Sequence, residues 1–186
     1  MTIGRSMTEG TPWKHILKFT LPVLAGLVLQ QLYNTVDTII VGNYAGENSL
    51  AAVGTTATLV FFFLSMATGF SAGNGVIVAQ AYGAKDEKML RANASTGILF
   101  VLALGILSSV IGICVSRVAY TDFVAVPKEI LETTLEYFNI CMLGLVFQYG
   151  YNIFSSILRA VGDSAATLYF LLIASVLNIF LDYLSF

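Results

Sequence analysis

Residues 16–41 read ILKFTLPVLAGLVLQQLYNTVDTIIV, and this one stretch decides the class of fold. It is apolar over a length that lets a helix cross the roughly 30 Å hydrocarbon core of a bilayer. Yet it keeps an acid, Asp37, in its far half. Gln30, Asn34, Asp37 and Thr38 recur at i, i+4, i+7 and i+8, so the polar residues form one stripe of a helix. The other faces are Leu, Ile and Val, suited to lipid or packing. A carboxylate at the centre of a bilayer costs about 3 kcal/mol or more. A membrane helix that retains one points to ion or proton handling.

Outward from this stretch the pattern repeats. Further apolar runs cover residues 50–81, 94–116, 131–157 and 165–186, separated by short polar or charged breaks. The chain is therefore expected to be an all-α polytopic membrane protein of about five transmembrane helices. A cytoplasmic N-terminal arm, residues 1–15, precedes a helical lobe over 16–186. Composition agrees: 57% of residues are hydrophobic and 11% charged, where a soluble domain carries about a quarter charged. Mean hydropathy is +0.82. The net charge of −2 gives no basic patch for nucleic acid. Cys114 and Cys141 fall in apolar runs and read as small apolar residues. His15, the single histidine, sits among Trp13, Lys14 and Lys18 in a headgroup-region pattern.

Lys and Arg set the orientation. Arg5, Lys14 and Lys18, then Lys85, Lys88 and Arg91, then Arg159 fall on one side; Arg117 and Lys128 fall on the other. The positive-inside rule puts the N-terminus in the cytoplasm. Helices one and five then both run outward. Counted from Lys18 and Ala165, Asp37 and Asp182 lie roughly 28 and 26 Å along their helices at 1.5 Å per residue. The second acid also has a stripe, Ser175, Asn178, Asp182 and Ser185. Two such stripes turned toward each other would line a polar cavity whose hard oxygen donors suit Na⁺ or H⁺. The plainer alternative makes each Asp an interface residue and Gln30 and Asn34 interhelical hydrogen-bond partners, worth about 0.6 kcal/mol each.

The same residues carry a resemblance. Gln31-Leu-Tyr-Asn-Thr-Val-Asp-Thr-Ile-Ile-Val-Gly42 and Ser49-Leu-Ala-Ala-Val-Gly54 are similar to the first two helices of the multidrug and toxic compound extrusion (MATE) transporters. Gly73-Asn-Gly with Ala79-Gln-Ala-Tyr-Gly-Ala84 resembles the end of that family's second helix. Leu158-Arg-Ala-Val-Gly-Asp163 and Asn178-Ile-Phe-Leu-Asp182 resemble its fourth loop and fifth helix. The resemblance covers nearly the whole chain, in order. It implies the N-terminal lobe of a two-lobed antiporter that expels drugs, organic cations or toxic metabolites in exchange for Na⁺ or H⁺. It also implies that Asp37, Asn178 and Asp182 form the cation site, with Gln30 and Asn34 facing the same cavity. The family's sixth helix and second lobe are expected to be missing, so the chain reads as a truncated half, its second lobe supplied by another chain if at all. The expected setting is a bacterial-type plasma membrane, with membrane lipid and small organic molecules as partners.

No phosphate-binding loop, H-E-x-x-H or Cys/His cluster is present. An enzyme or an ATP-driven pump is not expected, nor a cofactor beyond the coupling ion. A lipid-linked precursor flippase of the same superfamily is disfavoured, since no Lys or Arg lies deep in a span. A non-transporting membrane fragment is the third reading. Gly69 and Gly73 match small-xxx-small spacing and suggest close packing of helix two, and Gly73-Asn74-Gly75 suggests a kink or close approach. Arg159, before Gly162-Asp163, reads as an anchor at a short turn between helices.

Overall fold

In a bilayer each backbone amide must find its partner within the chain, which leaves the helix as the natural solution for these apolar runs. The computed structural model describes the backbone of residues 12–44 and 46–185. They form five helices: α1 Pro12–Tyr44, α2 Gly46–Gly83, α3 Glu87–Val118, α4 Lys128–Ala160 and α5 Ser164–Ser185. A π-helical turn, Ala119–Phe123, extends α3. Among fully described residues, Glu47–Gly83, Glu87–Phe123 and Lys128–Ala160 are long and apolar enough to cross a membrane.

Local chemistry sets the connections. At α3, Asp86 Oδ1 accepts from the Met89 amide at 2.9 Å, meeting one of the orphan donors of a helix start. Asp163 does the same for α5, accepting from Ala166 N at 3.0 Å. Between α4 and α5, Gly162 adopts φ 86°, a conformation that a Cβ would oppose. Pro22 lies inside α1 and lacks the N–H that would have bonded the Lys18 carbonyl.

The core lies where α2, α3 and α4 meet. The buried face of α3 is Gly97, Val101, Gly105, Ser108, Ser109, Gly112 and Ser116, small residues that let neighbouring backbones approach. Lipid tails are as apolar as Leu, so helices in a membrane associate through such close packing and through hydrogen bonds. Tyr149 on α4 packs over Gly105, whose added Cβ would meet the Tyr149 Cβ at 3.0 Å. Its hydroxyl donates to the Phe63 carbonyl of α2 at 2.9 Å and lies 3.2 Å from Ser108 Oγ of α3. Ser109 donates to the Met142 carbonyl at 2.6 Å, and Ser156 to the Ser71 carbonyl at 2.7 Å. Tyr120 and Phe138 close one end edge-to-face, ring centres 5.2 Å apart. Large apolar side chains face outward, among them Phe61, Leu99, Phe147 and Val176, a surface that suits lipid and not water.

Gly75 makes the close approach expected near Gly73-Asn74-Gly75: a Cβ there would run into Ser156 of α4. Gly69 and Gly73 do not pack closely, contrary to their spacing. Nothing among the described residues lies within 4 Å of a Cβ built at either one. They point away from α3 and α4, whose close contacts use α3's glycines.

Gly105→Leu is expected to cost about 1–3 kcal/mol by overpacking against Tyr149, whereas Gly69→Ala, in open space, is neutral or slightly stabilising. Thermal unfolding in detergent, followed by circular dichroism, checks the pair; equal midpoints would contradict the assigned contact. Tyr149→Phe leaves Ser108 and the Phe63 carbonyl short of a partner, with an expected loss of about 1–2 kcal/mol in the same assay.

Candidate functional site

Registers follow from the contacts. Gly75, Thr68 and Phe63 of α2 meet Ser156, Asn152 and Tyr149 of α4 respectively, so α2 and α4 run in the same direction. Gly105 and Gly112 of α3 meet Tyr149 and Met142, so α3 opposes α4. The α2–α3 and α4–α5 connections therefore share one end of the bundle, its base. The α5 helix rises from that base and packs chiefly on α1, while α1 makes a lesser contact with α2. Gly26 of α1 lies against α5: its Cβ would meet Leu171 Cδ2 at 3.4 Å and Leu168 Cδ1 at 3.8 Å.

Because α1 pairs with α5 and, among the described residues, has no packing contact with α4, a gap remains between this pair and the α2–α3–α4 core. It is a cavity of about 430 Å³, within the size range of small-molecule sites. Its apolar wall includes Pro22, Val23, Leu27, Leu64, Leu168 and Leu171. Its polar wall is Gln30 of α1, Thr68 of α2, Gln148, Tyr151, Asn152 and Arg159 of α4, and Ser164 and Thr167 of α5. Asn152 is held by its Nδ2 donating to the Gln148 carbonyl at 2.9 Å, with Thr68 Oγ1 at 3.5 Å from its Oδ1. The Thr167 hydroxyl is buried without a hydrogen-bond partner among the described residues.

The expected site residues fall in different places. Gln30 lines the cavity. Asn34, one turn further along α1, is exposed, and its carbonyl accepts from Thr38 Oγ1 at 2.8 Å. The side chains of Asp37, Asn178 and Asp182 lie outside the described residues. Arg159 is the residue whose place differs most from its reading as a turn anchor. It sits in the last turn of α4 and lines the cavity, half-buried. No acidic residue is in the lining, and the Arg159 guanidinium has no ion-pair or hydrogen-bond partner among the described residues. Sequence spacing missed Gln148, Asn152 and Arg159 together because the fourth span was read for its punctuation and not for its polar face. Gln148, Asn152 and Arg159 recur at i, i+4 and i+11, a stripe by the same rule that picked out Gln30 and Asn34.

Comparison with known proteins matches this architecture. Probable multidrug resistance protein YoeA of Bacillus subtilis is 30% identical over 177 residues, 95% of this chain and 38% of the relative. Probable multidrug resistance protein NorM of Thermotoga maritima is 27% identical over 91% of this chain and 36% of its own length. Among solved structures, MATE in complex with MaD3S superposes with a TM-score of 0.87 at 28% identity, covering 93% of this chain and 38% of that one. A MOP superfamily transporter from Pyrococcus furiosus, whose binding pocket is described as having reverse polarity, also gives a TM-score of 0.87 at 28% identity. The chain thus spans somewhat over a third of the length of the relatives it matches. With the MatE family model matching residues 22–184, and a fold that reproduces the N-terminal lobe of MATE transporters, the chain belongs to the MatE family of multidrug efflux transporters.

Proposed function

We propose that this chain supplies the N-terminal lobe of a cation-coupled antiporter, in which Asp37, Asn178 and Asp182 hold Na⁺ or H⁺ and Gln30 and Asn34 line the adjoining path. The observation that carries the reading is the packing of α1 on α5. Gly26 lies against Leu171, and Asp37 and Asp182 each follow eleven residues beyond their member of that pair. In two helices rising side by side, equal spacings keep equal heights, here about 16 Å above the contact. Carboxylates at one level, with the Asn178 amide one helical turn below Asp182 on α5, are hard oxygen donors able to share a monovalent cation or to exchange protons as a coupled pair. Each charge that enters across 100 mV supplies about 2.3 kcal/mol, more than the ~1.4 kcal/mol of a tenfold substrate gradient.

The base of the bundle faces the cytoplasm in this reading, because Lys85, Lys88, Arg91 and Arg159 cluster there. The N-terminus is assigned to the same side, because α1 starts at Pro12 and ends where α2 begins, opposite the base, and the membrane is a bacterial-type plasma membrane. A second lobe completes the substrate path, and drugs, organic cations or toxic metabolites are the exported class.

In a protein containing both lobes, Asp37→Asn or Asp182→Asn is expected to lower ion-driven efflux of ethidium by about tenfold or more, as losing an interaction of 1.4 kcal/mol or greater implies, with membrane insertion unchanged. Efflux at the parental rate from vesicles carrying either variant would remove the carboxylates from the mechanism. Water access to the cavity is tested separately. In a background where Cys114 and Cys141 are Ala, Gln148→Cys is expected to react with a membrane-impermeant maleimide about tenfold faster than buried Ser109→Cys, because thiol reactivity follows exposure. Equal labelling would close the cavity to water.

A further inference from the structure

A cation half-buried in a cavity wall, offset only by the negative end of its own helix dipole, keeps its hydrogen-bond donors available to an anionic ligand. Arg159 is in that position. It stands at the base of the cavity, in the last turn of α4. The nearest carboxylate in sequence, Asp163, is engaged by the Ala166 amide and forms no ion pair with Arg159 among the described residues. Across from Arg159 the first turn of α5 contributes Ser164 and Thr167, and the Thr167 hydroxyl has no partner among the described residues. The start of α5 adds the positive end of its helix dipole. Above this floor apolar Leu27, Leu64 and Leu171 stand beside polar Gln30, Thr68, Gln148 and Asn152.

We propose that the base of the cavity is an oxyanion subsite, in which Arg159, assisted by Thr167, binds the phosphate or carboxylate of an amphiphile whose apolar body lies along α1 and α5. The guanidinium offers a planar fork matched to two oxygens of such a group. A rotation of the Thr167 side chain, whose hydroxyl is covered in this structure, supplies the third hydrogen bond. Gln148 and Asn152 line the route from floor to apolar wall. The subsite rests on the cavity and not on the carboxylates of α1 and α5. It stands whether or not they couple an ion.

The test uses the full chain in dodecyl maltoside and two probes of equal tail length, dodecyl phosphate and dodecyltrimethylammonium, with binding followed by calorimetry. The phosphate is expected to bind at least about tenfold tighter. Arg159→Gln should abolish that preference, Arg159→Lys should keep part of it, and Gln148→Leu should weaken binding of both probes without reversing their order. Asp37→Asn should leave the preference intact, which separates failure of this subsite from failure of the ion-coupling reading. Helical circular dichroism and elution volume confirm that each variant is folded. Competition identifies the source of the anion: displacement by phosphatidylglycerol assigns a lipid headgroup, and displacement by inorganic phosphate assigns a free oxyanion. Equal affinity for the two probes, a preference that survives Arg159→Gln in folded protein, or displacement by neither competitor would overturn the proposal.

Discussion

The seating of Tyr149 over Gly105 is the contact on which the rest of the bundle depends. Helices in lipid gain little from hiding apolar surface, so they must approach closely enough for dispersion and hydrogen bonds to act. Gly105 supplies the approach, and the Tyr149 hydroxyl bridges the Phe63 carbonyl and Ser108, joining α2, α3 and α4 at one point. Serine bonds from Ser109 and Ser156 to carbonyls on facing helices repeat the device above and below it. Arg117 and Glu132 add an exposed ion pair at 2.8 Å near the far end of α3 and α4, of the kind worth about 1 kcal/mol or less.

That three-helix core explains why a cavity exists at all. With α2, α3 and α4 sealed to one another, α5 meets that core mainly at the tight turn at Gly162 and leans on α1 instead. The outer pair meets the core along α2 and at the foot of α4, and the space left between becomes the cavity. The walls differ accordingly. Where α1 meets α5 they are Gly26, Leu168 and Leu171; where α4 faces the gap they are Gln148, Asn152 and Arg159. A polar wall is tolerated there because it faces a gap within the protein and not the lipid-facing surface.

Sequence periodicity revealed the helices because twenty-residue apolar runs leave few other solutions, and it singled out the polar stripe of α1 because Gln30 and Asn34 interrupt an otherwise aliphatic stretch. It failed where a local pattern has two meanings. Gly69 and Gly73 have the spacing of a packing face, yet the described glycines in closest contact with neighbours are Gly75, Gly97, Gly105 and Gly112. Spacing shows that a face is small, and only the fold shows what lies opposite. Arg159 failed for a related reason. An arginine beside a turn is usually an anchor, and its exposure to a cavity depends on α1, which lies more than a hundred residues away in the chain.

The cavity so formed has one cationic end, and distance decides how far that charge reaches. From the start of α5 at Ser164, the rise to position 182 is about 27 Å. Two unit charges that far apart exchange only about 0.6 kcal/mol at an effective dielectric of 20, less than half of a tenfold change in binding. At the cation site proposed on α1 and α5, Arg159 would therefore neither neutralise the acids nor compete with a bound cation. Any influence of one end on the other has to pass through movement of the α1–α5 pair against the core. That pair is held to α4 by a turn and to α2 by a lesser contact, the least tightly packed junction among the described residues. A ligand group at the floor and a cation near the top would both act on the same two helices, and the stiff unit below them, fastened at Tyr149, gives that motion a fixed reference.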